Sequence, residues 1–153
     1  MDARTDNAAA LAAREIVSSR HYNLPRETVF AAFTDPQRLA RWWGPAGFRN
    51  TFEVFELRPG GHWRFTMHGP DGTDYANHSV FHTVEAPARI VLEHQTAPHF
   101  EMHITLSSEA GGTRLGWRMR FDDAATRDSV ARYAVPANEQ NFDRLQAELT
   151  RNI

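Results

Sequence analysis

Cysteine and lysine are both absent from this 153-residue chain. Without cysteine, disulfides, thiolate metal sites and a cysteine nucleophile are excluded together, and a cytoplasmic location is the expectation. Without lysine every basic residue is arginine, so Schiff-base chemistry and the lysine of a phosphate-binding P-loop are excluded as well. No apolar run approaches the roughly 18 residues that a membrane span requires. The opening stretch MDARTDNAAALAAREI lacks the basic region and apolar segment of an export signal. With a formal net charge of -2 and no cluster of basic residues, the chain carries no electrostatic footprint for a phosphate backbone. The expected partners therefore exclude nucleic acid and an inserted membrane.

The length suits one domain with one core. Residues 1–13, alanine-rich and without an apolar stripe, read as a tail or an extra helical turn, and residues 14–151 as the domain itself. EIVSSRHYNL (15–24) favours a strand that Pro25 ends. PRETVFAAFTD then reads as a helix with Pro25 in its first turn and Val29, Phe30 and Phe33 on one face. Asp35-Pro36 starts a second short helix, expected from Pro36 to about Trp43, with Leu39, Trp42 and Trp43 at i, i+3 and i+4. Two adjacent tryptophans before Gly44-Pro45 are unusual. Separated by about 100° around a helix, both rings find apolar surroundings only if the helix is wedged between two bodies.

Beyond Pro45, β-favouring runs alternate with turn residues, predicting six antiparallel strands over 49–58, 61–68, 74–85, 89–95, 99–107 and 113–121. RPGG, GPDG, EAPA, TAPH and EAGG punctuate them. Trp63, Phe65 and Met67 share one face, as do Phe100, Met102, Ile104 and Leu106, and Leu115, Trp117, Met119 and Phe121. Arg114, Arg118 and Arg120 occupy the other face, where pairing across strands with Glu101 is expected. The apolar face needs a cover, and PANEQNFDRLQAELTRNI offers a helix with Phe142, Leu145 and Leu149 along one side. Pro136 is expected in its first turn, with DDAATRDSVARYA forming a shorter helix before it. The whole is an α+β domain in which an antiparallel sheet curls around a C-terminal helix.

Several segments, in order and spacing, resemble one known family: REIVSSRHYNLPRETVFAAFTDPQRLARWWGPAGF, ELRPGGHWRF, GPDGTDY, APARIVLE and GGTRLGWRMRF. That family is the Aha-type, named for homology to the activator of the heat-shock protein 90 ATPase. It belongs to the START-like, or SRPBCC, superfamily of helix-grip (Bet v 1-like) folds. The resemblance spans about residues 14–150. It implies a cavity between the concave sheet and the long helix, closed at one end by the two short helices, with one tryptophan of the pair in the core and the other at the lip. Two departures fall beside that cavity: Gln140-Asn141 stand where a Gly-Trp pair is usual, and Ser79 where a glycine is usual. Some relatives associate through sheet or helix faces, so a homodimer stays open.

Seven of the eight histidines lie between His62 and His103, which raises the question of a metal. Same-face strand ligands at i and i+2 stand about 6.6 Å apart and no His-x-His occurs, while His78 and His82 would be about 13 Å apart, so no metal is expected. Acid-base candidates are His78, His82, His94, His103, Tyr75, Tyr133 and Glu56, but no serine elbow, paired carboxylates or phosphate loop accompanies them. The catalytic residues, if any, stay unassigned, and no cofactor is expected. The reading that follows is a binder of a small, mainly hydrophobic molecule, with Trp42, Trp43, Trp63, Phe65, Tyr75, His78, Phe81, Trp117, Met119 and Phe142 as candidate contacts. A cofactor-free cyclase- or hydrolase-like enzyme, and a chaperone-regulating role implied by the resemblance, are the alternatives.

Overall fold

The computed structural model describes residues 3–151. Helix α1 (Ala3–Ala12) precedes strand β1 (Glu15–Tyr22), helices α2 (Arg26–Thr34) and α3 (Pro36–Trp42), six further strands, and helix α4 (Ala124–Leu149). The strands are β2 (Arg49–Phe55), β3 (His62–His68), β4 (Asp74–Glu85), β5 (Arg89–His94), β6 (Phe100–Glu109) and β7 (Gly112–Phe121). They form one antiparallel sheet in the order β1-β7-β6-β5-β4-β3-β2. The expected order of elements holds, and the segment read as a tail or helical turn is a ten-residue helix.

Alternation places the sheet's dry face as the sequence implies. Trp63, Phe65, Met102, Ile104, Leu106, Leu115, Trp117, Met119 and Phe121 are buried on the concave side, where α4 lies. Three contacts fix the helix there. The Tyr22 hydroxyl donates to the Phe142 carbonyl at 2.9 Å, Phe142 meets Trp117 edge-on at 5.4 Å, and Arg20 reaches Glu139 and Asp143. On the convex face Arg118 and Arg120 converge on Glu15, with Glu101 farther off at 3.9 Å from Arg120, while Arg114 pairs with Glu109.

Helix α4 corrects one expectation. It runs unbroken through Pro136, where two helices were expected. Pro136 and Arg132, whose carbonyl loses its helical donor, both sit on the exposed side, so water can satisfy that oxygen and the apolar stripe need not be interrupted. Asp123 starts the helix, its carboxylate accepting from the Thr126 N–H at 2.7 Å.

Candidate functional site

The stretch RWWGPAGF forms one rim of the site. Asp35 caps α3, accepting from the Gln37 N–H at 2.9 Å, and the helix ends at Trp42, one residue earlier than the periodicity implies. Trp43 is extended, with φ -68 and ψ 133. The two indoles thus separate because the helix stops between them. Trp42 points back into the core, edge-on to Phe33 at 4.8 Å, with its N–H donating to the Ala32 carbonyl at 3.0 Å. Trp43 swings over the sheet, 4.9 Å from Trp63 and 5.3 Å from Trp117. Gly44 follows with φ +95, and a Cβ there would lie 2.7 Å from the Met67 methyl carbon, so both backbone angle and space call for glycine.

This rim is tied to α4. The Arg144 guanidinium donates to the carbonyls of Arg41, Trp43, Gly44, Pro45 and Phe48 at 2.7–3.0 Å. Burial without a carboxylate partner lowers its pKa. The Asn50 amide adds bonds to the Ala40 and Trp43 carbonyls, and Gln140 accepts from the Ala46 N–H.

Between the sheet and α4 lies a cavity of about 660 Å³. Its floor follows strand alternation: Trp63, Phe65 and Met67 from β3, Tyr75, Asn77 and Ser79 from β4, Leu92 and His94 from β5, Phe100 and Met102 from β6, and Trp117 and Met119 from β7. Its roof is the α4 face of Val130, Tyr133, Ala134, Ala137, Asn138 and Asn141, where two alanines leave room and two asparagines supply polarity. Trp43, Gly44, Pro45 and Phe48 close one side, and Thr96, Ala97 and Pro98 another. Among the described residues the lining holds no carboxylate and no guanidinium.

Polar groups here are few and incompletely satisfied. Asn138 is 8% exposed and its amide nitrogen faces the Met119 sulfur at 3.6 Å. Asn141 donates to the Trp42 carbonyl at 2.6 Å. The indole N–H groups of Trp63 and Trp117 are buried without a partner among the described residues, which costs about 1–3 kcal/mol for each group. The His94 ring sits between the Pro98 carbonyl, 3.0 Å from Nδ1, and the Asn77 Oδ1, 2.8 Å from Nε2. Burial lowers its pKa.

Of the ten candidate contacts, the structure brings Trp43, Trp63, Phe65, Tyr75, Trp117 and Met119 to the lining. The other four lie elsewhere. Trp42, Phe81 and Phe142 are 0–2% exposed and fill the core behind the wall. His78 is on the convex face, opposite Arg64 in the register, because it is out of phase with Tyr75, Asn77 and Ser79. Its ring stacks on His62 at 5.2 Å, with Nδ1 of His62 2.9 Å from its Nε2. Of the acid-base candidates, His94, Tyr75 and Tyr133 line the cavity. His82 pairs with Glu93, His103 with Glu101, and Glu56 with Arg58. Among the described residues no three His, Asp or Glu side chains are grouped to hold a metal ion, and no helix is long and apolar enough to cross a membrane.

Sequence reasoning missed Ala134, Ala137 and Asn138 in the lining and reached Asn141 only through the family resemblance. Their spacing of three and four residues is a helical stripe, hidden because small and amide side chains do not register as an apolar face.

A curved antiparallel sheet gripping a long C-terminal helix defines the class as the helix-grip, Bet v 1-like fold of the START-like superfamily. The chain belongs to the family described as Activator of Hsp90 ATPase homolog 1-like protein, whose model matches residues 23–150. Similar solved structures include a Nitrosomonas europaea protein with 20% identity and a TM-score of 0.84, covering 93% of this chain and 97% of that one. A Rhodobacter sphaeroides protein shares 26% identity with a TM-score of 0.84, covering 92% and 95%. The AHSA1 protein from Silicibacter pomeroyi shares 19% identity with a TM-score of 0.75, covering 91% and 99%. No curated protein matches the sequence.

Proposed function

We propose that the protein binds one small, mainly apolar molecule between the sheet and α4. The observation that carries this reading is the cavity itself. About 660 Å³ is lined mainly by aromatic, aliphatic and thioether groups, within the range of about 300–1,000 Å³ typical of small-molecule sites. The Trp43 ring over Trp63 and Trp117 forms an aromatic wall, and Ala134 and Ala137 leave room beneath the roof. Asn138, whose amide nitrogen faces only the Met119 sulfur, favours a ligand that carries at least one oxygen.

Thermal unfolding with a panel of medium-chain alcohols tests this. A ligand at about 100 times its dissociation constant adds about 2.7 kcal/mol of stability. The expected result is such a stabilisation for decanol in the natural protein and its loss in Ala137→Leu, whose longer side chain fills the roof. Absence of any shift across the panel would refute the reading.

A further inference from the structure

We propose that the end of the cavity around His94 recognises the carboxylate of an amphipathic acid, and that binding this anion places a second proton on the His94 ring. The inference rests on the reading of the cavity as an apolar-ligand site and names the class of ligand.

The geometry at His94 carries it. A carbonyl oxygen can only accept, so Nδ1, 3.0 Å from the Pro98 carbonyl, bears a hydrogen. Nε2 faces Asn77 Oδ1 at 2.8 Å, another acceptor. Turning the amide over does not relieve this, because Asn77 Nδ2 donates to the Tyr75 carbonyl at 3.0 Å, and the turned amide would set two oxygens face to face there. Both ring nitrogens therefore address acceptors. Only an imidazolium satisfies both, and a neutral ring leaves two lone pairs opposed at one of them.

The surroundings provide no counter-charge for that imidazolium. From the β5–β6 connection the neighbouring charged group is His99, itself cationic in tendency because Glu93 and Asp122 each hold one of its ring nitrogens at 2.8 Å. From β6 the ring is covered by Phe100, stacked at 4.6 Å. β4 contributes Asn77 and Tyr75, and α4 brings Tyr133 to the lining. A ligand carboxylate beside His94 would supply the missing charge. It would also meet Thr96, whose hydroxyl oxygen accepts the His78 N–H at 2.8 Å and whose own hydrogen is left for a ligand oxygen. The step is a binding coupled to protonation: solvent supplies one proton to Nε2, the ligand stays anionic, and no covalent bond changes.

Decanoate and decanol, titrated calorimetrically into the full chain at pH 7.5 in buffers of different ionisation enthalpy, test the inference. Decanoate is expected to bind with uptake of close to one proton and decanol with none. Decanoate affinity should fall about tenfold per pH unit between the His94 pKa of the free protein and that of the complex, and level off above the latter. His94→Gln, checked for folding by circular dichroism, should abolish the uptake and weaken decanoate about tenfold. With ¹⁵N-histidine in the natural protein, decanoate but not decanol should move the His94 Nε2 signal into the protonated range. This readout stands even if the variant fails to fold. Decanoate binding without uptake, uptake that persists in His94→Gln because the ligand itself holds the proton, or an unmoved His94 signal would overturn the inference while decanol binding preserved the apolar-site reading. Failure of both probes to bind would overturn both.

Discussion

Replacing Arg144 with Met keeps the aliphatic stem and deletes the guanidinium that gathers five carbonyls of the 41–48 segment. The effect can be worked out carbonyl by carbonyl. Arg41 is exposed, so its oxygen can take water. The Trp43 oxygen keeps the Asn50 amide at 2.8 Å. The Pro45 oxygen keeps the Phe48 N–H at 3.2 Å, while Gly44 is buried and Phe48 half-buried, so about two acceptors are left without a full replacement. At about 1–3 kcal/mol for each unsatisfied buried group, and allowing for partial access of water, the loss should be about 2–4 kcal/mol. For a chain of this size that lowers the melting temperature by about 4–16 °C. Urea unfolding of the natural protein, Arg144→Met and Arg144→Lys is the assay. Lysine returns the charge but not the planar fork, so it should fall between the other two. A loss below about 0.5 kcal/mol for Arg144→Met would refute the role of Arg144 as the clasp of the rim.

Three further outcomes follow from charge and packing. Glu148 is 7% exposed and accepts from Arg41 and Arg38, and the Arg41 bond foremost holds its carboxyl below the usual range. With the folded value depressed, this stabilisation is complete above the ordinary glutamate value and disappears as pH falls through the folded one. Glu148→Gln should therefore lower stability at pH 7 and flatten its fall on acidification, read from urea midpoints across pH 3–7. His99 is raised by its bonds to Glu93 and Asp122. Its contribution should be full below the ordinary histidine value and vanish as pH rises through the raised one, a slope that His99→Gln removes. Gly61→Ala would set a Cβ 2.0 Å from the Glu56 carbonyl oxygen and 2.9 Å from that of Arg58. Because both are backbone atoms in a tight turn, the expected loss is about 2–3 kcal/mol by chemical unfolding.

The strands were legible because their alternation survives in plain view: Trp63-Phe65-Met67 and Leu115-Trp117-Met119 each turn one face inward. Asp35-Pro36 announced α3 for the same kind of local reason, a cap and a restricted φ. Helix α4 was half legible. Pro136 looked like a start, yet its position on the exposed face lets the helix continue. The site was harder. Aromatic size marks Trp43 and Phe65 as readily as Trp42 and Phe81, and only the end of α3 and the strand register decide which face the cavity and which the core. His78 was misplaced by a single step of strand phase. Arg144 and Asn138 carry no local signal, since the partners of Arg144 are 96 or more residues away and Met119, which Asn138 faces, is on β7, 19 residues away.

Three of the four methionines, Met67, Met102 and Met119, line the cavity. ¹³C-methyl-methionine NMR during a decanol titration is therefore the most direct test of the central claim that this cavity holds an apolar ligand. The account predicts saturable shifts of the three cavity methyls and loss of the response in Ala137→Leu. Cavity methyl signals that stay fixed at saturating decanol, or that shift equally in Ala137→Leu, would contradict it.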